Sequence, residues 1–263
     1  LASLRIFSYL PNPRVFKALI AAELCGVSLE VVGDKPANLA RWLWDYDARE
    51  LSAAEQSADS PYARASQRGF TGTLYKTDAF LASQPFGTVP CAFSPGGAIG
   101  IFESNSILRA VVRQSEQPHG LYGDDGYSAS RVDSFLDASL VFSREAQVYL
   151  LAMSAMQPET HARMTSAYDF YLQGVENALQ HTSHLAEDNL SIADIAFVCD
   201  LAQFLREAHY SDALEQAGYA LISAQALQKY PAALAHMLTL SETPAFRKHM
   251  GTYLDWYRRQ HNV

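Results

Sequence analysis

Residues 86 to 107, FGTVPCAFSPGGAIGIFESNSI, constrain this chain more than any other stretch. Val89-Pro90 opens a short apolar run, and Pro95-Gly96-Gly97 is a turn signal. A second apolar run, Ile99 to Phe102, leads into Glu103-Ser104 and a helix-like segment. The pattern predicts a β-hairpin with a helix starting at its far end. A cis peptide before Pro90 would leave the Val89 backbone open to pair with a peptide-like ligand, as an added strand does. Ser104, backed by the free N–H groups of a helix start, suits a carboxylate. The two ends of the unit therefore fit one small extended ligand, with an amide in its middle and a carboxylate at its end.

The N-terminal segment LRIFSYLPNPRVFKALIAAELCGVSLEVVG predicts a strand, helix, strand unit. Leu4 to Tyr9 is strand-like, while Phe16, Leu19, Ile20 and Leu24 recur at helical spacing and define the expected buried face. Asn12-Pro13 is a cap followed by proline at the first helical position, and Gly26 is a C-terminal stop.

Together these segments resemble the soluble glutathione transferase family. YLPNPRVFKALIAAELCG, KTDAFLASQPFGTVP, IFESNSI and LSIADIAFVC are most similar to the transferase-like domain at the front of the elongation factor 1 gamma subunit. The resemblance implies a thioredoxin-like α/β N-terminal domain (βαβ-ββα) followed by an all-α C-terminal domain. It also implies glutathione as co-substrate. Val89 and Pro90, with Thr88 before them, would hold the cysteinyl backbone, and Glu103 and Ser104 the γ-glutamyl end. A homodimer is implied as well.

Composition agrees with a soluble globular protein. The chain has 263 residues, 49% hydrophobic and 18% charged, enough for one or two domains with a substantial core. No apolar run approaches the ~20 residues that span a bilayer, and LASLRIF lacks the basic start and long apolar core of a signal peptide. Cys25, Cys91 and Cys199 are odd in number and far apart in apolar segments, which points to buried thiols in a reducing, cytoplasmic setting. A net charge of −8 argues against a general nucleic-acid surface. No Cys/His cluster of metal type and no phosphate loop occurs, and GYSAS at 126 to 130 lacks the second glycine of a nucleophile elbow.

The expected domains are residues 1 to 114 and 125 to 263, separated by the Gly-, Asp- and Pro-rich QSEQPHGLYGDDG. In the second, Val132, Phe135, Leu136, Ser139 and Phe142 mark one helix. Ser191 and Asp194 are spaced for a capping box ahead of a helix that is apolar on most sides, IADIAFVCDLAQFL. An insertion of about residues 34 to 73 separates the second and third strands. Leu39, Trp42, Leu43 and Tyr46 fall on one helical stripe, and SPYARASQRGFTG reads as loop. The stripe would either pack on the small domain or wall the acceptor-substrate pocket.

Chemistry on glutathione needs its thiolate, and an unperturbed thiol with a pKa of about 8.5 is mostly protonated at neutral pH. Family branches activate it with Tyr, Ser or Cys near the first strand. Counting back from Gly26, the Ser/Cys position falls on Asn12 and the Tyr position on Ser8, with Tyr9 one step off. Asn12 can both cap the helix and donate to sulfur, and Arg14 would add positive charge. The first function class is a glutathione transferase acting on an electrophile, by conjugation (as in detoxification) or by thiolytic ether cleavage (as in a β-etherase). Trp42, Trp44, Tyr62 and Phe142 suit a hydrophobic aromatic acceptor. The second class is a non-catalytic interaction module of the translation-elongation type. With no further domain after Val263 in this sequence, the enzyme is the expectation.

Overall fold

A computed structural model describes residues 2 to 66 and 69 to 263. The chain divides into two compact units, Leu1–Pro118 and His119–Val263.

The first unit begins with β1 (Leu4–Tyr9), α1 (Pro13–Cys25) and β2 (Leu29–Asp34), with β1 and β2 parallel. Asn12 caps α1 by accepting from the Arg14 N–H, Pro13 occupies its first position, and Gly26 ends it at φ +71°. Its buried face includes Phe16 and Ile20 as expected but departs from the expected one at its end. Leu24 is 40% exposed, whereas Lys17 is fully buried beside Val15, Ala18, Ile20 and Ala21. At the end of β2 a Cβ on Gly33 would lie 1.7 Å from the Ser8 carbonyl oxygen, so only glycine allows this approach.

The insertion forms a second sheet. After a 3₁₀ turn at Pro36–Arg41 come β3 (Trp42–Trp44), β4 (Arg49–Glu50), β5 (Ala63–Ala65) and β6 (Thr73–Lys76), in the order β4-β3-β6-β5. The expected helix through Leu39, Trp42, Leu43 and Tyr46 is thus absent. Trp42-Leu43-Trp44 also alternates at period two, and the strand partners on both sides, together with the β preference of aromatic residues, decide between the two periods. Likewise SPYARASQRGFTG is not all loop, since Ala63–Ala65 pairs antiparallel with β6; Gln67 and Arg68, within it, lie outside the described residues. Leu39, Trp44 and Leu74 are buried against Phe7, Phe80 and Phe93, with Trp44 edge-on to both Phe7 and Phe80. The aromatic insertion therefore packs into the core of its own unit.

After α2 (Asp78–Ser83), β7 (Cys91–Phe93) and β8 (Gly100–Phe102) form the expected hairpin, and α3 (Ser104–Arg113) follows. The main sheet has the order β2-β1-β7-β8, with β7 antiparallel to both neighbours. Successive residues of β1 face opposite ways. Phe7 meets the inserted sheet and α2, while Leu4, Ile6 and Ser8 face the side of α1 and α3, which pack on each other. This is a thioredoxin-like α/β arrangement.

The second unit is helical, built on α4 (Gly126–Leu151), α5 (Pro158–Ala178), α6 (Ile192–Phe204) and shorter helices. Every residue of α6 except Gln203 is buried. Ser191 and Asp194 make the capping box at its start, and Asp194 also accepts from the Leu185 N–H and contacts His236 Nε2 at 2.8 Å. Fully buried Glu207 accepts from Tyr149 Oη, from Ser223 Oγ and from the N–H groups of Ile222 and Ser223. Among the described residues no helix is long and apolar enough to cross a membrane.

Candidate functional site

Strand register assembles the site. Phe7 pairs with Cys91, and Cys91 with Phe102. Two residues further along each strand, Tyr9, Val89 and Ser104 fall at one edge of the sheet, where β1 also hands over to Asn12 and α1. In open α/β sheets, ligands sit outside the carboxyl ends of strands of this kind.

The Val89-Pro90 peptide is cis. Val89 is half-buried, and no described residue hydrogen-bonds to its N–H or carbonyl. The loop before it is held rigidly. Gln84, fully buried, donates to the carbonyl and the hydroxyl of Thr88 and accepts from the Phe86 and Gly87 N–H groups. Lys76 Nζ donates to the Gly87 carbonyl at 2.6 Å. Thr88 is exposed and Pro90 buried.

At the other end Glu103 has φ +64° and ψ +124°, outside the comfortable region for a residue with a side chain. Such a conformation costs on the order of 1–3 kcal/mol and concentrates at ligand-binding positions. Glu103 is the N-cap residue of α3 but makes no side-chain cap bond, and a helix start of this kind suits an anion. Ser104 is the first helical residue and is 7% exposed. Its Oγ accepts from Lys17 Nζ at 3.3 Å, and Asn105 Oδ1 accepts from the same ammonium at 3.0 Å. Lys17 escaped the sequence reading. The available signal was a charged residue at i−3 and i−4 from Ile20 and Ala21, on an otherwise apolar helix face.

Asn12 and Ser8 are fully buried together. Asn12 Oδ1 accepts from the Arg14 N–H and Nδ2 donates to Ser8 Oγ, both at 3.0 Å. One Nδ2 hydrogen remains beyond that bond. Tyr9 leaves β1 on the opposite face and packs on the cluster of Phe7, Leu39 and Trp44. Burial pushes its phenol pKa up, against the charge of Arg14, so the hydroxyl stays protonated at neutral pH. The structure thus joins Ser8 to Asn12 and Ser104 to Lys17, and puts Tyr9 on a separate side.

Cys25, Cys91 and Cys199 are buried and form no disulfide. Burial raises the Cys25 thiol and pushes Cys91 up to about 12, the reverse of a nucleophilic thiol. Among the described residues no group of three His, Cys, Asp or Glu side chains could hold a metal ion.

No protein-family model matches the chain. It is 25% identical over 202 residues to elongation factor 1-gamma of Artemia salina, covering 75% of this chain but only 37% of that factor. It is 22% identical over 251 residues to the glutathione S-transferase-like protein LUC7 of a Fusarium species, covering 94% of this chain and 92% of the relative. Among solved structures, a glutathione transferase URE2P8 of Phanerochaete chrysosporium with oxidized glutathione superposes with a TM-score of 0.66 at 14% identity, over 100% of this chain and 98% of its own. A glutathione S-transferase of Methylobacillus flagellatus with glutathione bound gives 0.61 at 14% identity, over 94% and 98%. The fold of this chain is the glutathione transferase fold.

Proposed function

We propose, from that fold and the geometry of the sheet edge, that the chain binds glutathione and is a transferase using its thiolate on a hydrophobic, aromatic electrophile. The observation that carries this reading is Glu103. This strained residue leads into Ser104, the helix start level with Val89, whose backbone has no hydrogen-bond partner among the described residues. The cysteinyl backbone would pair with Val89 beside Pro90 and Thr88, and the γ-glutamyl carboxylate would take Ser104 and the α3 N–H groups next to Glu103. Asn12 is the principal donor to the sulfur, Tyr9 its rival and Ser8 its support, with Arg14 adding positive potential. In the reaction the sulfur lone pair forms a bond to the electrophilic carbon and the leaving group departs with its electron pair.

A second reading is a non-catalytic module of the translation-elongation type. It is favoured by the similarity to elongation factor 1-gamma and by the prior commitment of the Asn12 amide to the helix cap and Ser8. The two readings part on turnover of a panel of halogenated arenes and aryl ethers, which the second reading expects to be absent. Binding is tested by calorimetry. Ser104→Ala should weaken glutathione binding by about 1.5–3 kcal/mol, the worth of a hydrogen bond to a charged group. Equal affinity in the two proteins would remove the ligand from that residue.

The reading extends to a cytoplasmic homodimer. The three buried thiols suit a reducing compartment, and exposed Val141, Val148 and Leu151 on α4 suit a partner. Light scattering that returned 29.0 kDa across a concentration series would exclude the dimer.

A further inference from the structure

Lys17 lies on the apolar side of α1 and is fully buried, yet its ammonium reaches the first two residues of α3. An ammonium carries three hydrogens and no acceptor, so in its bond to Ser104 the serine oxygen must accept. The serine's own proton is then directed elsewhere, and no described residue accepts it. A hydroxyl that accepts from a cation is a stronger donor, because the two bonds polarise each other. The helix supplies a second effect. The N-terminus of α3 is already positive, and a cation placed against it is opposed by the helix dipole. An anion on the solvent side of Ser104 would accept the serine's proton and suits the positive helix end.

We infer that Lys17 is a positioning residue for the carboxylate end of the ligand, polarising the Ser104 hydroxyl and orienting Asn105 from beneath α3. The inference rests on the glutathione reading above and adds a residue that does not itself touch the ligand. Its signature is selectivity for a charged carboxylate over its neutral amide.

The test measures binding of glutathione, and of the analogue whose γ-glutamyl carboxylate is an amide, to the full chain and to Lys17→Met. The wild type should prefer glutathione by about 10- to 100-fold, as a charge-assisted hydrogen bond does. Lys17→Met should lose most of that preference while its affinity for the amide changes little. If both ligands weaken equally, Lys17 only supports the helix packing and the inference is wrong. If the wild type binds neither ligand, the glutathione reading itself fails and takes this role with it. A measurement on the unmutated protein covers the case in which Lys17→Met does not fold. With lysine side chains labelled with nitrogen-15, the Lys17 Nζ resonance should move on adding glutathione but not on adding the amide. A resonance that responds alike to both overturns the inference.

Discussion

The ammonium of Lys76 lies 4.8 Å from the centre of the Trp44 ring and donates to the Gly87 carbonyl. Trp44 comes from the first strand of the inserted sheet, Lys76 from the last residue of β6, and Gly87 from the loop that delivers Val89. The insertion is therefore tied to the loop of the proposed ligand site by a cation on an aromatic face and one hydrogen bond. Trp44 is also fully buried against Phe7 and Phe80. Trp44→Ala should cost about 3–5 kcal/mol, the usual range for removing a large core aromatic, and should loosen the Gly87 loop. Chemical denaturation gives the first quantity and hydrogen exchange at Gly87 the second. A cost under about 1 kcal/mol, typical of surface sites, would show that the inserted sheet is not part of this core.

Glu55 provides a pH test of the insertion alone. Hydrogen bonds from Arg49, then from the backbone and side chain of Ser52, hold its carboxyl down at about 2, from an ordinary 4.5. A carboxyl lowered on folding binds fewer protons folded than unfolded between these values. Its contribution is thus present above about 4.5 and is lost as pH falls toward 2. Nuclear magnetic resonance titration of the Glu55 carboxyl should find its midpoint well below the ordinary glutamate value of 4.5. An ordinary midpoint would mean that the Arg49 pair does not persist in solution.

Glu103 should set stability against binding. Glycine adopts its positive φ without penalty, so Glu103→Gly should recover part of the strain, a net gain of about 1 kcal/mol after the extra entropy of glycine in the unfolded chain. The same change should weaken glutathione, because the ligand loses a side chain and a fixed helix entrance. Thermal unfolding and calorimetry are to be read together. A variant that is less stable would show that the Glu103 side chain holds the fold rather than the ligand.

Thiol activation separates Asn12 from Tyr9. Asn12→Asp keeps the helix cap but places a negative charge near the sulfur, so the bound thiol should titrate at higher pH. The Asn12 donor and the helix end together are expected to lower the wild-type thiol by roughly one to two pKa units, at about 1.4 kcal/mol per unit. Ultraviolet thiolate absorbance of bound glutathione across pH measures this in the wild type, Asn12→Asp and Tyr9→Phe. A shift confined to Tyr9→Phe would leave Asn12 as a cap for α1 and a partner for Ser8.

Much of the architecture is local and so was legible in the residues. Asn12-Pro13 and Gly26 bracket α1, Pro95-Gly96-Gly97 turns the β7–β8 hairpin, and Ser191 with Asp194 starts α6, because caps and turns are set by neighbours a few residues apart. Where two periods fit one short segment, tertiary pairing decided. Trp42-Leu43-Trp44 satisfies both a helix and a strand, and only the edges offered by β4 and β6 make it a strand. The same holds for side chains whose environment comes from distant chain. Leu24 faces solvent while Lys17 is buried, since Lys17 finds Ser104 and Asn105 on α3, 87 and 88 residues away. Adjacent Ser8 and Tyr9 are both plausible sulfur donors as letters, and the alternation of one strand sends them to opposite faces. The residue types at this edge were written in the sequence; which of them share a face depended on how the sheet was paired.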